Sequence, residues 1–328
     1  MRFKDVLGLP AQGNQYKGNL HSHTVCSDGH LTPEEAVHLY QTHGYSFLCL
    51  SEHDLYTDHR AALSDSEFLI LPGLEASAML LDKKTGLPLK VHHMNGILGT
   101  EDMQAKAAET FFHGQKVKRQ DYAGQWNGLE AGQKLCDLLR NHGCFVTYNH
   151  PIWSRVEPSE FLELKGISAL EIFNYDTVNE SGTGADTTYW DQMLRHGKRV
   201  FCFASDDNHN NGEFEDSCGG WVCVVAPELT HEAILHGLIA GDFYASSGPE
   251  IYGWGVKDDQ VWVSCSDCER VNLIAGGFIN AGKTLIAPEG ETLRHVEFPL
   301  RGDETYVRLE CIARDGRTAW TNAIFPER

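Results

Sequence analysis

Tyr16-Lys17-Gly18-Asn19-Leu20-His21-Ser22-His23-Thr24, followed closely by Ser27-Asp28-Gly29, is the stretch from which the rest of the chain is read. A short run with aromatic and aliphatic residues reads as a strand, and it delivers two histidines at i and i+2. On extended backbone such residues point the same way, so both imidazoles face one metal ion. Asp28, a few residues on, is placed to serve a neighbouring ion. The same unit of strand followed by polar cluster then recurs along the chain.

The expected strands are 16–20, 47–51, 68–72, 90–93, 144–148, 169–173 and 200–204, each a short β-branched, aromatic or aliphatic run. After them come His53 in Ser51-Glu52-His53-Asp54, Glu75 in Pro72-Gly73-Leu74-Glu75, and His93 with His92 beside it. His150 follows in Asn149-His150-Pro151, then Asp207 and His209 in Ser205-Asp206-Asp207-Asn208-His209. Helices are expected between several of these strands. Thr32-Pro33-Glu34-Glu35 supplies an N-cap, a first-turn proline and a capping box, with Gly44 as terminator. A second helix runs over about 129–142, with Leu135, Leu138 and Leu139 on one face and Gly143 as its stop. A third covers about 187–196 and ends at Gly197.

Repeated strand-then-helix units imply a parallel sheet with helices outside it, and seven of them suggest a closed or nearly closed barrel. In such barrels the chemistry gathers at the carboxyl ends of the strands, where the histidines and carboxylates fall here. The segment 77–128 is the least regular, with Asp82-Lys83-Lys84-Thr85-Gly86 as a turn and 115–126 reading as a mobile loop or lid. After Gly248-Pro249 short alternating strands separated by turn residues take over, predicting a small antiparallel sheet or sandwich. The expected domains are therefore 1–247 and 248–328.

Bulk properties narrow the function classes. The chain has 328 residues, 41% hydrophobic and 22% charged, as expected of a globular protein with a sizeable core. No apolar run is long enough to span a bilayer, and Met1-Arg2-Phe3-Lys4-Asp5 lacks the apolar core of a secretory signal, so a cytoplasmic location is expected. The ten scattered cysteines then read as reduced thiols, and the lone Cys265-Ser266-Asp267-Cys268 pair lacks the second pair of a zinc knuckle. A formal charge of −19 disfavours long nucleic-acid partners. It leaves open a small phosphorylated substrate, because bound divalent cations reverse the local potential. Mixed imidazole and carboxylate donors suit a divalent ion such as zinc, manganese or iron.

The motifs His21-Ser-His23-Thr, Ser27-Asp28-Gly29, Glu-His53-Asp54, Gly73-x-Glu75, a strand-end histidine, Asn-His150-Pro and Asp207-x-His209 resemble the polymerase and histidinol phosphatase (PHP) family. The resemblance spans about 16–247. It implies a distorted (β/α)7 barrel of PHP type holding two or three divalent metal ions, followed by a small antiparallel β-sandwich. Gly220-Trp221, the run from Phe243 to Pro249, and Ala319-Trp320-Thr321-Asn322 resemble a two-domain subgroup that includes a carbamate-insecticide hydrolase. By resemblance, His21, His23, Glu75 and Asp207 hold a first ion. Glu75 bridges to a second, completed by His93 and His150, and Asp28, His53 and His209 hold a third. His93 is preferred to His92 because His-x-Asn-Gly matches the family spacing. Asp207 is preferred to Asp206 because Asp-x-His on an extended strand end shares a face with His209. Glu52, where the family usually has threonine, is expected to orient His53 or its neighbours.

The implied chemistry is hydrolysis by a metal-bridging hydroxide, with Asp207 among the catalytic groups. Arg155 is the leading anion-binding residue, ahead of Lys198 and Arg199. His30 is the candidate proton donor to the leaving group, and Asn174 is expected to line the cavity. The expected substrate is a small phosphate ester. A carboxylic or carbamic ester or amide is the alternative, and a non-catalytic metal-bound interaction module is the third reading.

Overall fold

The computed structural model describes residues 3–327. Its strands in the first part are β1 (Val6–Leu7), β2 (Asn14–Asn19), β3 (Phe47–Leu50), β4 (Leu55–Tyr56), β5 (Leu69–Leu81), β6 (Pro88–Leu98), β7 (Gln115–Lys116), β8 (Gln120–Ala123), β9 (Cys144–Tyr148), β10 (Ala169–Asn174), β11 (Phe201–Ser205), β12 (Trp221–Ala226) and β13 (Phe243–Ser246). Then follow β14 (Ile251–Lys257), β15 (Gln260–Cys268), β16 (Arg270–Ala275), β17 (Lys283–Ile286), β18 (Leu293–Pro299), β19 (Val307–Ile312) and β20 (Thr318–Thr321). The helices are α1 (Pro33–Thr42), α2 (Arg60–Leu63), α3 (Glu101–Lys106), α4 (Gly128–Asn141), α5 (Pro158–Phe161), α6 (Tyr175–Ser181), α7 (Thr187–Arg195) and α8 (His231–Ala240).

The helix signals act as written in the sequence. Thr32 and Glu35 form a reciprocal capping box at the start of α1, and Gly44, Gly143 and Gly197 adopt positive φ just beyond α1, α4 and α7. Ala36, Val37 and Tyr40 of α1 pack with Leu48, Leu50 and Ile70 of the strands beneath. Leu135 and Leu139 of α4 and Ile234 and Leu238 of α8 are buried in the same way.

The large sheet runs β11-β10-β9-β6-β5-β3-β2-β12-β13-β20-β19-β16-β17, with β8 added beside β5. It is mixed, where a parallel sheet was expected: β2, β3 and β5 are parallel neighbours, as are β9, β10 and β11, but β6 is antiparallel to both β5 and β9. The reason is the Asp82-to-Gly86 turn, which folds β5 and β6 into one long hairpin. The expected strands 68–72 and 90–93 are fragments of it. The expected loop or lid at 115–126 carries two short strands, β7 paired with β4 and β8 with β5.

One interior cluster receives Leu20, Phe47, Leu71, Ile97, Phe145, Ala169, Phe203 and Val222, so the strands from β2 to β12 curl around a shared core. The ends of this arc approach each other. Phe201 on β11 lies 5.7 Å from Phe243 on β13, and a Cβ at Gly220 would stand 2.4 Å from the Ser205 carbonyl oxygen. Among the described residues no backbone ladder joins β11 to β12 or β13. The expected barrel is thus not closed by strand pairing, and the β11 edge is met instead by Asn322, whose Oδ1 accepts from Cys202 N at 2.9 Å.

The strands beyond residue 248 are antiparallel, as expected, but they divide between two sheets. β14, β15 and β18 form a separate sheet with β1, while β16, β17, β19 and β20 extend the large sheet through β13. Trp254, Val261, Val263 and Phe298 from the first sheet meet Val271, Leu273, Leu309 and Cys311 from the second in one apolar core. No helix among the described residues is long and apolar enough to cross a membrane. All ten cysteines are unpaired, eight of them buried.

Candidate metal centre

The site forms where β2, β3, β9 and β11 end and where β5 and β6 pass the middle of their hairpin. Glu75 lies inside β5 and His93 inside β6, so these two are presented by strand interiors and not by strand ends. Glu75 is completely buried, and its two carboxylate oxygens face five imidazoles. Oε1 lies 3.1 Å from His21 Nε2, 3.2 Å from His93 Nδ1 and 3.4 Å from His150 Nε2. Oε2 lies 2.9 Å from His53 Nδ1 and 3.6 Å from His23 Nε2. Asp207 Oδ1 stands 3.0 Å from His21 Nε2 and 2.9 Å from His23 Nε2. On the outer side, Asp28 stands 3.4 Å from His53 and 3.6 Å from His209.

Donor atoms converge in four overlapping groups: His21, His23, Glu75 and Asp207; His53, Glu75 and His93; His23, Asp28, His53 and His209; and His21, His150 and Glu171. All nine sequence-derived candidates therefore come together, though their grouping differs from the expected one. His53 shares Glu75 with His93, and His23 reaches the Asp28 group.

These atoms fit metal better than one another. His21 Nε2, both ring nitrogens of His23 and His93, Glu75 Oε2 and Asp207 Oδ1 are buried without any hydrogen bond of acceptable geometry. Their short separations place lone pairs around shared space instead of along donor–acceptor lines. Leaving so many polar atoms buried and unmet costs several kcal/mol, about 1–3 for each group, unless a cation fills the space. A mixed set of imidazole and carboxylate donors is what a divalent transition ion takes.

The electrostatics agree. Burial opposes charge on His21, yet the neighbouring Asp207, Glu75 and Glu171 hold its pKa well above the usual imidazole value. His53 and His150 are likewise raised, each to about 9, against burial, chiefly by Glu75. Burial and the nearby His53 push His23 down to about 3. Burial opposes ionisation of Glu75, but the surrounding His93 and His21 keep it well below the usual carboxylate range.

Groups behind the cluster fix its orientation. Glu171, buried in mid-β10, has Oε1 at 3.0 Å from His21 Nδ1, and its Oε2 accepts from His150 N at 2.9 Å and Asn174 Nδ2 at 3.0 Å. With Nδ1 held there, Nε2 of His21 faces the cluster. Asn149 donates to Glu75 at 2.8 Å and Asn174 to Asp207 at 3.0 Å. Sequence reading missed the role of Glu171, although a carboxylate inside the apolar run Ala169-Leu170-Glu171-Ile172-Phe173 is itself a signal, since such groups are rarely buried unpaired.

The two open choices now have physical grounds. Consecutive residues on a strand face opposite sides. His92 turns away, with Nδ1 2.6 Å from Tyr148 Oη, Nε2 2.8 Å from the Gly128 carbonyl, and its ring stacked on Trp126. His93 faces Glu75. Asp206 is engaged elsewhere, accepting from the N–H groups of Cys218, Gly219 and Gly220 and from Tyr40. Asp207 is left to the histidines, but the extended geometry expected for it is absent: its φ is +56°. Of the two alternatives for Glu52, His53 or its neighbours, the contacts favour the neighbours. Glu52 accepts from Thr24 N at 3.1 Å, from Thr24 Oγ1 at 2.6 Å and from Ser27 Oγ at 2.5 Å, so it anchors the loop that carries Asp28 and does not touch His53.

A cavity of about 480 Å³ opens over the cluster. His30 lines it, and so do Asp28, His53, His93, His150, Asp207 and His209. Asn174 lies behind the wall and not in it. Arg155 is exposed on the turn after His150 and does not reach the cavity; Lys198 pairs with Glu163 at 3.3 Å, and the Arg199 guanidinium lies 5.0 Å from the Phe325 ring. Among the described residues no lysine or arginine lines the cavity. Asp176, Glu180 and Glu213 do, beside Trp153 and Phe214. Burial and the adjacent Asp207 and Asp216 raise Asp176 to about 8.

No protein-family model matches the chain, and no curated protein does. Among solved structures, one similar chain is a two-domain protein from Bacteroides vulgatus described as containing a predicted PHP-like metal-dependent phosphoesterase. It is 15% identical, with 99% of each chain covered and a TM-score of 0.46. Another is an amidohydrolase from Chromobacterium violaceum with bound sulfate and no metal, 15% identical over 69% of this chain and 96% of that one, TM-score 0.40. At such scores neither likeness assigns a fold or a chemistry; the geometry of the buried donors stands by itself.

Proposed function

We propose that this chain is a metal-dependent hydrolase of a small phosphorylated metabolite or nucleotide. On this reading residues 1–247 form a distorted barrel of PHP type and residues 248–328 an all-β domain. The supporting observation is the convergence of buried, unpaired imidazole and carboxylate atoms on a cavity open to solvent. His21, His23, Glu75 and Asp207 would hold one divalent ion, Glu75 with His93 and His150 a second, and Asp28, His53 and His209 a third. Such ions, when bound, bring a water toward hydroxide near neutral pH and polarise a phosphoryl or carbonyl oxygen.

The remaining work falls to the chain. Glu171 fixes the imidazole of His21, while Asn149 and Asn174 hold Glu75 and Asp207 by one side and leave their other oxygens free. Trp153, whose ring centroid lies 5.1 Å from that of His150, forms an apolar wall of the cavity on that side. His30 stands at the rim, where it can pass a proton to a departing oxygen.

A second reading, hydrolysis of a carboxylic or carbamic ester or amide, is favoured by one observation: the cavity is lined by carboxylates and, among the described residues, by no lysine or arginine. A phosphate dianion finds no arginine there, whereas a neutral carbonyl substrate meets less repulsion. Elemental analysis of the purified protein, paired with a panel of phosphomonoesters, phosphodiesters and aryl esters, separates the two. Aryl-ester turnover without any phosphoester turnover overturns the first reading. Bound metal with no turnover of either overturns both.

A further inference from the structure

Four arginines among the described residues lack a carboxylate partner: Arg140, Arg155, Arg199 and Arg270. The others are paired, as expected in a chain of net charge −19. Two of the four, Arg140 and Arg199, open onto one cavity of about 440 Å³, which no carboxylate among the described residues lines. It lies at the amino-terminal ends of β9, β10 and β11, whose opposite ends lead to His150, Asn174 and Asp207. Its remaining wall is mostly apolar, from Phe145, Ile167 and Ile239, with the Ser168 side chain between them.

Arg140 is built into place. It sits in the last turn of α4, where the unpaired carbonyl ends favour a cation. Its side chain lies against Gly166, at which a Cβ would stand 2.5 Å from Arg140 Cδ and 2.6 Å from Nη1. Gly166 also has φ +90°, so a side chain there is excluded twice over. Arg199 reaches the cavity with its guanidinium near the Phe325 ring and, among the described residues, no counter-charge.

We propose that this cavity is a second binding site, for a small organic anion with an apolar body. Arg140 and Arg199 take a phosphate or carboxylate head, and Phe145, Ile167 and Ile239 take the hydrocarbon part. Arginine forks match both heads, and the volume suits a single small ligand. The site shares no residue with the metal centre and does not depend on the function proposed for it.

Phenylglyoxal labelling of the full-length, metal-loaded protein, read arginine by arginine by mass spectrometry, tests this directly. The probes are benzylphosphonate, phenylacetate and inorganic phosphate. At least one aryl anion is expected to slow labelling of both Arg140 and Arg199 about five-fold at about four times its Kd. Arg155 and Arg270 should react at unchanged rates. The more potent aryl probe identifies the preferred head, and inorganic phosphate should need a higher concentration than either. Unchanged rates at Arg140 and Arg199, equal slowing at all four arginines, or phosphate matching the aryl probes would each overturn the proposal. In Arg199→Gln the protection of Arg140 should disappear, as it should in Ile239→Glu, where a half-exposed position gains a carboxylate facing the site. Protection that survives in either folded variant overturns the proposal as well.

Discussion

The metal corner and the C-terminal sandwich treat buried side chains in opposite ways. In the sandwich, Trp254, Val261, Val263, Phe298, Leu273 and Leu309 fill the space between two sheets, and deep polar groups such as Ser247 and Thr318 satisfy each other. In the metal corner, seven polar atoms from five residues are buried within one small volume without a partner. Isolated unpaired atoms do occur in the sandwich, on Trp254, Asp303 and Arg308, but they do not converge. One region is complete from its own chain, whereas the other gathers buried donor atoms that a bound cation would satisfy. The sandwich is therefore expected to answer to mutation in stability, and the corner in metal content and turnover.

The sharpest way to break this contrast is Glu75→Ala. Glu75 contributes to two of the donor groups and touches five histidines, so its loss should lower metal affinity and turnover by more than about 100-fold, beyond what outer partners usually cost. Metal content measured by plasma mass spectrometry that stays at the wild-type level would refute the bridging role. Phe298→Ala probes the other side. Removing this ring, 2% exposed, should cost about 3–5 kcal/mol in denaturant unfolding while metal per folded chain is unchanged. Loss of metal from the folded variant would mean that the two regions are coupled and the contrast is wrong. Glu171→Gln tests the support behind the corner. The amide cannot accept from all the donors that now meet both carboxylate oxygens, and a loss of about 10–100-fold in metal affinity should follow. Binding at wild-type strength in that variant would leave Glu171 with a packing role alone.

Legibility in the sequence follows the same division. His21, His23, His53, His150, Asp207 and His209 were readable because each stands just past a short apolar strand, and strand ends are local features. Glu75 and His93 were readable as residues but misplaced as strand ends. Nothing local says that β5 continues to Leu81 or that β6 begins at Pro88, because those extensions are held by pairing with each other. The division of the last strands between two sheets was hidden for the same reason: Thr318–Thr321 reads as a strand wherever it pairs, and its place beside β13 depends on residues 73 to 77 positions away. Arg155 failed as an anion ligand because proximity in sequence to His150 does not survive the left-handed turn at Arg155, φ +60°, which leaves the side chain in solvent.

The smallest effect expected is on pH dependence, and its sign separates the two regions once more. In the metal-free protein His53 and His150 titrate at about 9, raised above the ordinary imidazole value against burial by Glu75 and its carboxylate neighbours. A histidine whose folded pKa exceeds its unfolded value contributes stability that is fully present below about 6.5 and is lost as pH rises through about 9. Chelated protein should therefore unfold at progressively lower temperature between pH 6.5 and 9. Over the same interval metal should bind more tightly, because each ion must displace those protons. Metal-loaded protein, its imidazoles already deprotonated, should show a flatter profile across that range, and Glu75→Ala should flatten the profile of the chelated form by removing the main source of the raised values. A chelated wild-type protein whose melting temperature holds level or climbs from pH 6.5 to 9 would show that these histidines are not held protonated by Glu75, and that the corner balances its own charge as the sandwich balances its polar groups.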